Sequence, residues 1–264
     1  MGYVLGIDAA WTATNPSGVA LLSSNTTPPK LIRASPSFED FVLGTDPDAW
    51  CAKHSSPASL HEVLAVAAEL GGGSVDVIAV DMPIATTPVH GRRTSDHLIS
   101  KCFGGGGCST HTPTVLRPGK ISDRLCEDAL AAGFSLVTTT EQQPERALIE
   151  VYPHVAVLEL CQASYRVPYK IARVRRYWPK ATQCERRDNL RKEWAKVLGC
   201  LQERIDFNVE IDCNGRTMQF WKAWEDGIDA IVCSWVGLEW LNGRARPYGD
   251  EASAIWVPER DTGK

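Results

Sequence analysis

The stretch VDVIAVDMP, residues 75–83, decides the fold. Val75, Val77, Ile78, Ala79 and Val80 form an almost unbroken apolar run, closed by Asp81 and Pro83. β-Branched residues at this density favour a strand. A strand apolar on both faces belongs in the middle of a sheet covered by helices. Asp81 then stands at its carboxyl end. Upstream, residues 55–70 (SSPASLHEVLAVAAEL) change to helical periodicity, with Leu60, Val63, Leu64 and Ala67 on one face and Gly71, Gly72 and Gly73 as a stop. Further back, YVLGID (3–8), GVALLSS (18–24) and KLIRAS (30–35) are short apolar runs separated by turn residues. They predict an antiparallel meander whose first strand ends in Asp8.

Downstream, residues 84–120 are rich in Gly, Thr, Pro and His and weakly periodic, which predicts a long functional loop. A helix follows over 121–133, starting at Ser122. Then come a strand over 147–153 (ALIEVYP), a helix from His154, a helix near 185–206, and a divergent stretch over 207–220. The last helix runs from about 225 to 242, ending at Asn242-Gly243. ASAIWVP (252–258) is a candidate final strand. Three meandering strands joined to alternating helices and parallel strands predict an α/β protein. The expected architecture is a ribonuclease H-like mixed five-stranded sheet with helices on both faces. With 264 residues the chain is longer than such a core requires. It is expected to form a single ribonuclease H-like domain over 1–264, with the excess in loop 84–120 and a mostly helical insertion at about 163–220.

A chain 44% hydrophobic and 23% charged is neither disordered nor collagen-like. No run approaches 18 apolar residues, so no membrane partner is expected. The first residues lack a basic region and Asp8 interrupts them early, which argues against a signal peptide and for a cytoplasmic protein. The nine cysteines, an odd number with no C-x-x-C pair, argue against a disulfide framework. Cys161, Cys200 and Cys233 lie in apolar runs and read as small buried hydrophobes. Cys102, Cys108 and His111 come nearest to a metal cluster, but C-x5-C-x2-H is not a usual zinc spacing.

The net charge of −4 is unevenly spread. Residues 166–192 carry ten basic side chains against Glu185 and Asp188, so this segment is +8 and the rest of the chain −12. Tyr165, Tyr169, Tyr177 and Trp178 are interleaved with the positive charges. The mixture suits phosphate contact and base stacking by a nucleic-acid partner. A solvated helix face with aromatic anchors is the plainer alternative.

Four carboxylates stand out by position. Asp8 and Asp81 end two strands that a shared sheet would bring side by side. Asp226 and Asp229, in WEDGIDAIVCSW, are three apart at the expected start of the last helix and so share one face. Clustered like charges are costly unless a cation neutralises them, which implies a bound divalent metal. Taken singly, Asp226 is equally suited to capping the helix, and Asp8 and Asp81 to heading Asx turns.

GID (6–8), VDMPI (80–84), GRRTSD (91–96), EVYPH (150–154), PYK (168–170) and DGIDAIVCSW (226–235) together resemble the family known as domain of unknown function 429. The resemblance covers nearly the whole chain and is weakest over the insertion. It implies a nuclease with a ribonuclease H-like fold. The closing D-x-x-D helix is similar to that of Holliday-junction resolvases, which implies Asp8, Asp81, Asp226 and Asp229 as ligands of two Mg²⁺ or Mn²⁺ ions. Such a pair would clamp a scissile phosphate, activate water and stabilise the leaving oxygen. Glu150 is then a further catalytic or orienting carboxylate, or an edge acid paired with Lys170 or an arginine. His154, His111 and Lys170 are candidates for proton transfer or phosphate contact, and Arg92 and Arg93 for gripping a phosphate. Arg173 and Arg176 of the basic segment join the candidate substrate contacts.

Two alternatives compete. A sugar-kinase-like or actin-like phosphotransferase also opens with a strand-end Asp and a small-residue turn, where Thr12, Thr14 and Ser17 would meet phosphate. Trp11 and the lack of a glycine-rich loop after Asp8 weaken it. A non-catalytic nucleic-acid-binding or protein-binding module would keep the basic segment without turnover, and the complete carboxylate set weighs against it.

Overall fold

The computed structural model describes residues 2–12, 14–50, 58–140, 143–209, 211 and 215–260. Cys51, Cys213 and the first residues of the 55–70 segment lie outside them. The strands are β1 (Tyr3–Asp8), β2 (Gly18–Ser23), β3 (Lys30–Ser35), β4 (Val75–Val80), β5 (Ser135–Leu136), β6 (Ala147–Val151), β7 (Ala245–Gly249) and β8 (Ala254–Pro258). They form one mixed sheet in the order β3-β2-β1-β4-β6-β8-β7, with the two-residue β5 also pairing with β6. The meander is present: β1 pairs antiparallel with β2, and β2 with β3. β4 lies parallel between β1 and β6, and all but one of its residues are buried.

Among the described residues the sheet has eight strands in place of the expected five. The tail strand is real and lies inside the sheet as β8, parallel to β6. The strand that closes this edge, β7, has the sequence ARPYG. Its proline and arginine carry no strand pattern, and it is held by antiparallel pairing with β8 rather than by local preference.

The helices are α1 (Phe38–Leu43), α2 (Leu60–Gly71), α3 (Thr94–Phe103), α4 (Lys120–Ala131), α5 (Pro153–Leu160), α6 (Val174–Tyr177), α7 (Gln183–Gln202) and α8 (Met218–Leu241). A capping box of Ser59 and Glu62 starts α2, and left-handed Gly72 ends it. α4 begins two residues before Ser122, whose hydroxyl instead donates to the Gly119 carbonyl. α3 falls within the segment expected to be a loop. Arg93 precedes it, and Asp96 accepts the Arg93 backbone N–H at 3.0 Å. The helix is short and mostly polar, so its periodicity is weak in sequence.

One face of the sheet carries α5, α7 and α8 over Val4, Ala20, Val77, Ala79 and Ile149. The other carries α1, α2 and α4 over Leu5, Ile7, Ile78, Val80 and Leu148. The expected insertion contributes Tyr169, Leu190, Trp194, Val197 and Leu201 to the first of these clusters. Among the described residues no helix is long and apolar enough to cross a membrane.

Candidate functional site

The last helix begins at Met218, eight residues before Asp226, with Thr217 as its cap. The acidic EDG step is therefore interior, and the capping role considered for Asp226 does not apply. The aromatic stripe of Phe220, Trp221 and Trp224 carries the helix backwards through buried contacts with the core. Almost every residue from Phe220 to Trp240 is buried, with half-exposed Lys222 the exception.

Glycines let this helix lie directly on the sheet. A Cβ on Gly6 would stand 2.2 Å from the Ala230 carbonyl oxygen and 2.3 Å from the Ser234 nitrogen. One on Gly18, the register partner of Asp8, would stand 2.4 Å from the carbonyl oxygen of Asp226. β1, β2 and α8 thus meet backbone to backbone, and Asp226 comes over the end of β1. On the neighbouring strand, the Asp81 N–H donates to the Ile7 carbonyl at 2.8 Å, extending the parallel ladder by one residue. By strand alternation Asp8 and Asp81 share a side with Gly6 and Ala79, towards α8.

Five carboxylates converge here: Asp8, Asp81, Glu225, Asp226 and Asp229. Two lysines answer them. Lys170 Nζ bonds the Asp229 carboxylate and lies 3.9 Å from Glu225. Lys222 Nζ bonds Asp226 and lies 3.0 Å from Glu225. The Tyr169 hydroxyl donates to Asp229 Oδ1 at 2.7 Å. Ionised in full, the cluster is left with three uncompensated negative charges. Burial, the Asp8 charge and that of Asp229 push Asp81 well above the usual carboxylate range, and burial and Asp8 do the same to Asp226. Burial raises Asp229 to about 6 against the pull of Lys170. Burial also acts on Glu225, but Lys170 and Lys222 overcome it and hold that carboxyl low. Among the described residues no three His, Cys, Asp or Glu side chains are grouped to hold a metal ion.

A cleft of about 840 Å³ opens over the cluster, lined by Asp8, Trp11, His111, Arg117, Lys222 and Asp226 among others. The small-residue turn after Asp8 is closed by the Ala10 N–H donating to the Ser17 hydroxyl at 3.0 Å. Burial, together with Arg173, Arg166 and Arg117, depresses the His111 imidazole.

The remaining candidates are differently placed. Glu150 shares its side of β6 with Leu148, opposite to the side Asp8 faces. Its carboxylate accepts two hydrogen bonds from Arg93, at 2.5 and 2.7 Å, and one from the Ile84 N–H at 3.0 Å. Arg93 also binds Asp96, and these two acids keep its guanidinium firmly protonated. Arg92 bonds the Asp96 carbonyl, the Ser100 hydroxyl and Thr112, tying the 110–112 segment to α3. Both guanidinium groups therefore have internal hydrogen-bond partners. His154 is half-buried with its Nδ1 shielded from solvent, next to Arg166 and edge-on to Tyr152 and Tyr169. Burial and the Lys170, Arg166 and Arg173 charges hold it far below the usual imidazole range, so it is neutral. Cys108 is buried against the His154 carbonyl, at 3.5 Å, and burial lifts its thiol to about 11. Cys102 is exposed, and with Cys108 and His111 it forms no metal group. Within the basic segment Arg186 is bonded to the Trp178 and Pro179 carbonyls and Arg191 to Asp188. Arg175, Arg176, Lys180 and Lys192 are exposed, and Arg173 is half-buried.

Glu225, Lys222 and Tyr169 belong to the cluster and were not among the candidates. Glu225 is four residues before Asp229, and Lys222 four before Asp226, so both pairings were available from helical spacing. Tyr169 announced itself only by adjacency to Lys170.

The fold and site define a mixed α/β protein with a partly buried, incompletely neutralised carboxylate cluster at the carboxyl ends of its central strands. The chain belongs to the family described as protein of unknown function DUF429, whose model matches residues 40–253. No curated protein and no solved structure matches it.

Proposed function

We propose that the protein is a divalent-metal-dependent nuclease on a ribonuclease H-like scaffold, acting in the cytoplasm. The observation that carries this is the charge imbalance: five carboxylates against two lysines beneath an open cleft. The strand order supports the scaffold, since an antiparallel three-strand meander is extended from its first strand by parallel β4 and β6. The donor set is all carboxylate oxygen, which suits Mg²⁺ or Mn²⁺, and the raised carboxyl groups mark negative charge awaiting a cation. Asp8, Asp81, Asp226 and Asp229 would hold the metal. Bound there, it would neutralise a phosphodiester and make a water molecule a better nucleophile at neutral pH.

The chain's own groups divide the remaining work. Lys170 and Lys222 keep Glu225 ionised. Tyr169 and Lys170 orient Asp229. Arg117 and Lys222 offer positive charge to an anionic substrate along the cleft wall, where His111 is positioned to exchange a proton with a leaving group. Glu150, locked by Arg93, keeps the adjoining loop in place and takes no direct part.

Asp8→Asn tests the assignment. Manganese-dependent cleavage of labelled single-stranded and branched oligonucleotides is expected to fall at least 100-fold, and Mn²⁺ binding by calorimetry to weaken with it. Cleavage that survives the substitution, or wild-type protein that binds no Mn²⁺, overturns the proposal.

A further inference from the structure

A second cavity, of about 470 Å³, lies beside the cleft, and Met218 lines both. Its floor is apolar, built by Ile171, Val174, Leu190 and Trp221. Its polar lining is Gln183 and three arginines, Arg175, Arg186 and Arg187, and among the described residues no acid lines it. Arg186 is fixed by the Trp178 and Pro179 carbonyls, at 2.9 and 3.1 Å, and so holds a charge there with no ion-pair partner among the described residues. Arg187 lies 5.9 Å from the centre of the Trp221 ring and donates weakly to the Met218 sulfur. Its Nε and the indole N–H of Trp221 are both buried without a hydrogen-bond partner among the described residues. Buried donors left unmade are costly, so an acceptor-rich ligand would be favoured here.

An apolar floor with uncompensated guanidinium groups asks for a ligand that is flat and apolar at one end and anionic at the other. The volume lies within the usual range for small-ligand sites, about 300–1,000 Å³. We propose that this cavity binds one nucleotide of a single-stranded nucleic acid, its base against the apolar floor and its phosphate on Arg175 and Arg187. Stacking and phosphate neutralisation together are how single strands are held without sequence readout. A base still paired in a duplex cannot enter, which makes single strands or unpaired ends the preferred substrate. The inference rests on the nuclease reading only for the meaning of the adjoining cleft.

The test is fluorescence anisotropy with labelled single-stranded DNA, single-stranded RNA and the matching duplex, in EDTA so that no cleavage occurs. Arg175 is exposed, so Arg175→Glu leaves the core intact. It is expected to weaken single-strand binding at least tenfold and to lower the salt dependence by about one counterion. Lys101→Glu, an equal charge change on exposed α3, is expected to alter binding less than threefold. Tight binding of either single strand supports the proposal and names its source. It is overturned if wild-type protein binds no single strand, if duplex binds as well, or if Lys101→Glu costs as much as Arg175→Glu. Asp8→Asn is expected to keep full binding in EDTA. Binding without cleavage therefore defeats the nuclease reading alone, and cleavage with Arg175→Glu binding intact defeats this one alone.

Discussion

His154 and Glu150 are ionisable side chains shielded from water in opposite settings, one among positive charges and one against its counterion, and each has a measurable consequence. His154 stays neutral in the folded protein, whereas an unfolded chain protonates it below about pH 6.5. The unfolded state then binds the extra proton, so stability is complete above that pH and falls as the pH drops through it. Between pH 7 and 5.5 the wild type is expected to lose about 1 kcal/mol more than His154→Phe, as read by urea unfolding. Equal losses in both proteins would show that His154 does not carry the effect. Burial lifts the Glu150 carboxyl to about 7, and Arg93, paired with it, opposes that rise. Removing one partner of a buried pair leaves the other uncompensated, so Arg93→Leu is expected to cost about 3–5 kcal/mol. Adding Glu150→Leu should recover part of that loss, and a double variant worse than the sum of the single ones would exclude the pairing. Neither environment could be read from the sequence. EVYPH places both residues at a strand end, but the strand alternation that turns Glu150 away from Asp8 appears only once the sheet register is known.

At the scale of elements, the site depends on how closely α8 approaches β1. Gly6→Ala would force its methyl into the Ala230 carbonyl and the Ser234 N–H. Backbone cannot yield as a flexible side chain can, so about 1–3 kcal/mol of stability is expected to go. The helix would also shift relative to Asp8, and Mn²⁺ affinity should drop although no ligand has changed. A variant of native stability and native affinity would mean that the helix does not need this contact. The apolar spacing of the last helix and the strand-end position of Asp8 were legible in sequence. The helix start was not, because the acidic step at 225–226 imitates a beginning while buried aromatic residues extend the helix by two turns. β7 was equally hidden, since its pairing with β8 and not its composition makes it a strand.

For the whole molecule, the uneven charge acquires a spatial meaning. Part of the +8 segment is turned inwards: Lys170 to the carboxylate cluster, Arg166 to His154, and Arg186 to backbone carbonyls. The segment thus partly neutralises the acidic body as well as presenting charge outward. If the carboxylate cluster binds a cation only when folded, Mn²⁺ at 100 times its dissociation constant should add about 2.7 kcal/mol to stability. The expected readout is a midpoint of thermal unfolding that climbs with Mn²⁺ concentration and does not do so in Asp8→Asn. A wild-type midpoint indifferent to the ion would contradict the proposal.

The sequence alone determined the meander, the buried parallel strand ending in Asp81, and the presence of acids where strands end. These follow from short apolar runs and the turn residues between them, which are local signals. Only the tertiary structure decided which charges meet. Lys170 reaches Asp229 across 59 residues of chain and Arg93 reaches Glu150 across 57. Electrostatic partnership depends on distance in space and on exclusion of water, and neither is recorded in the order of residues along the chain.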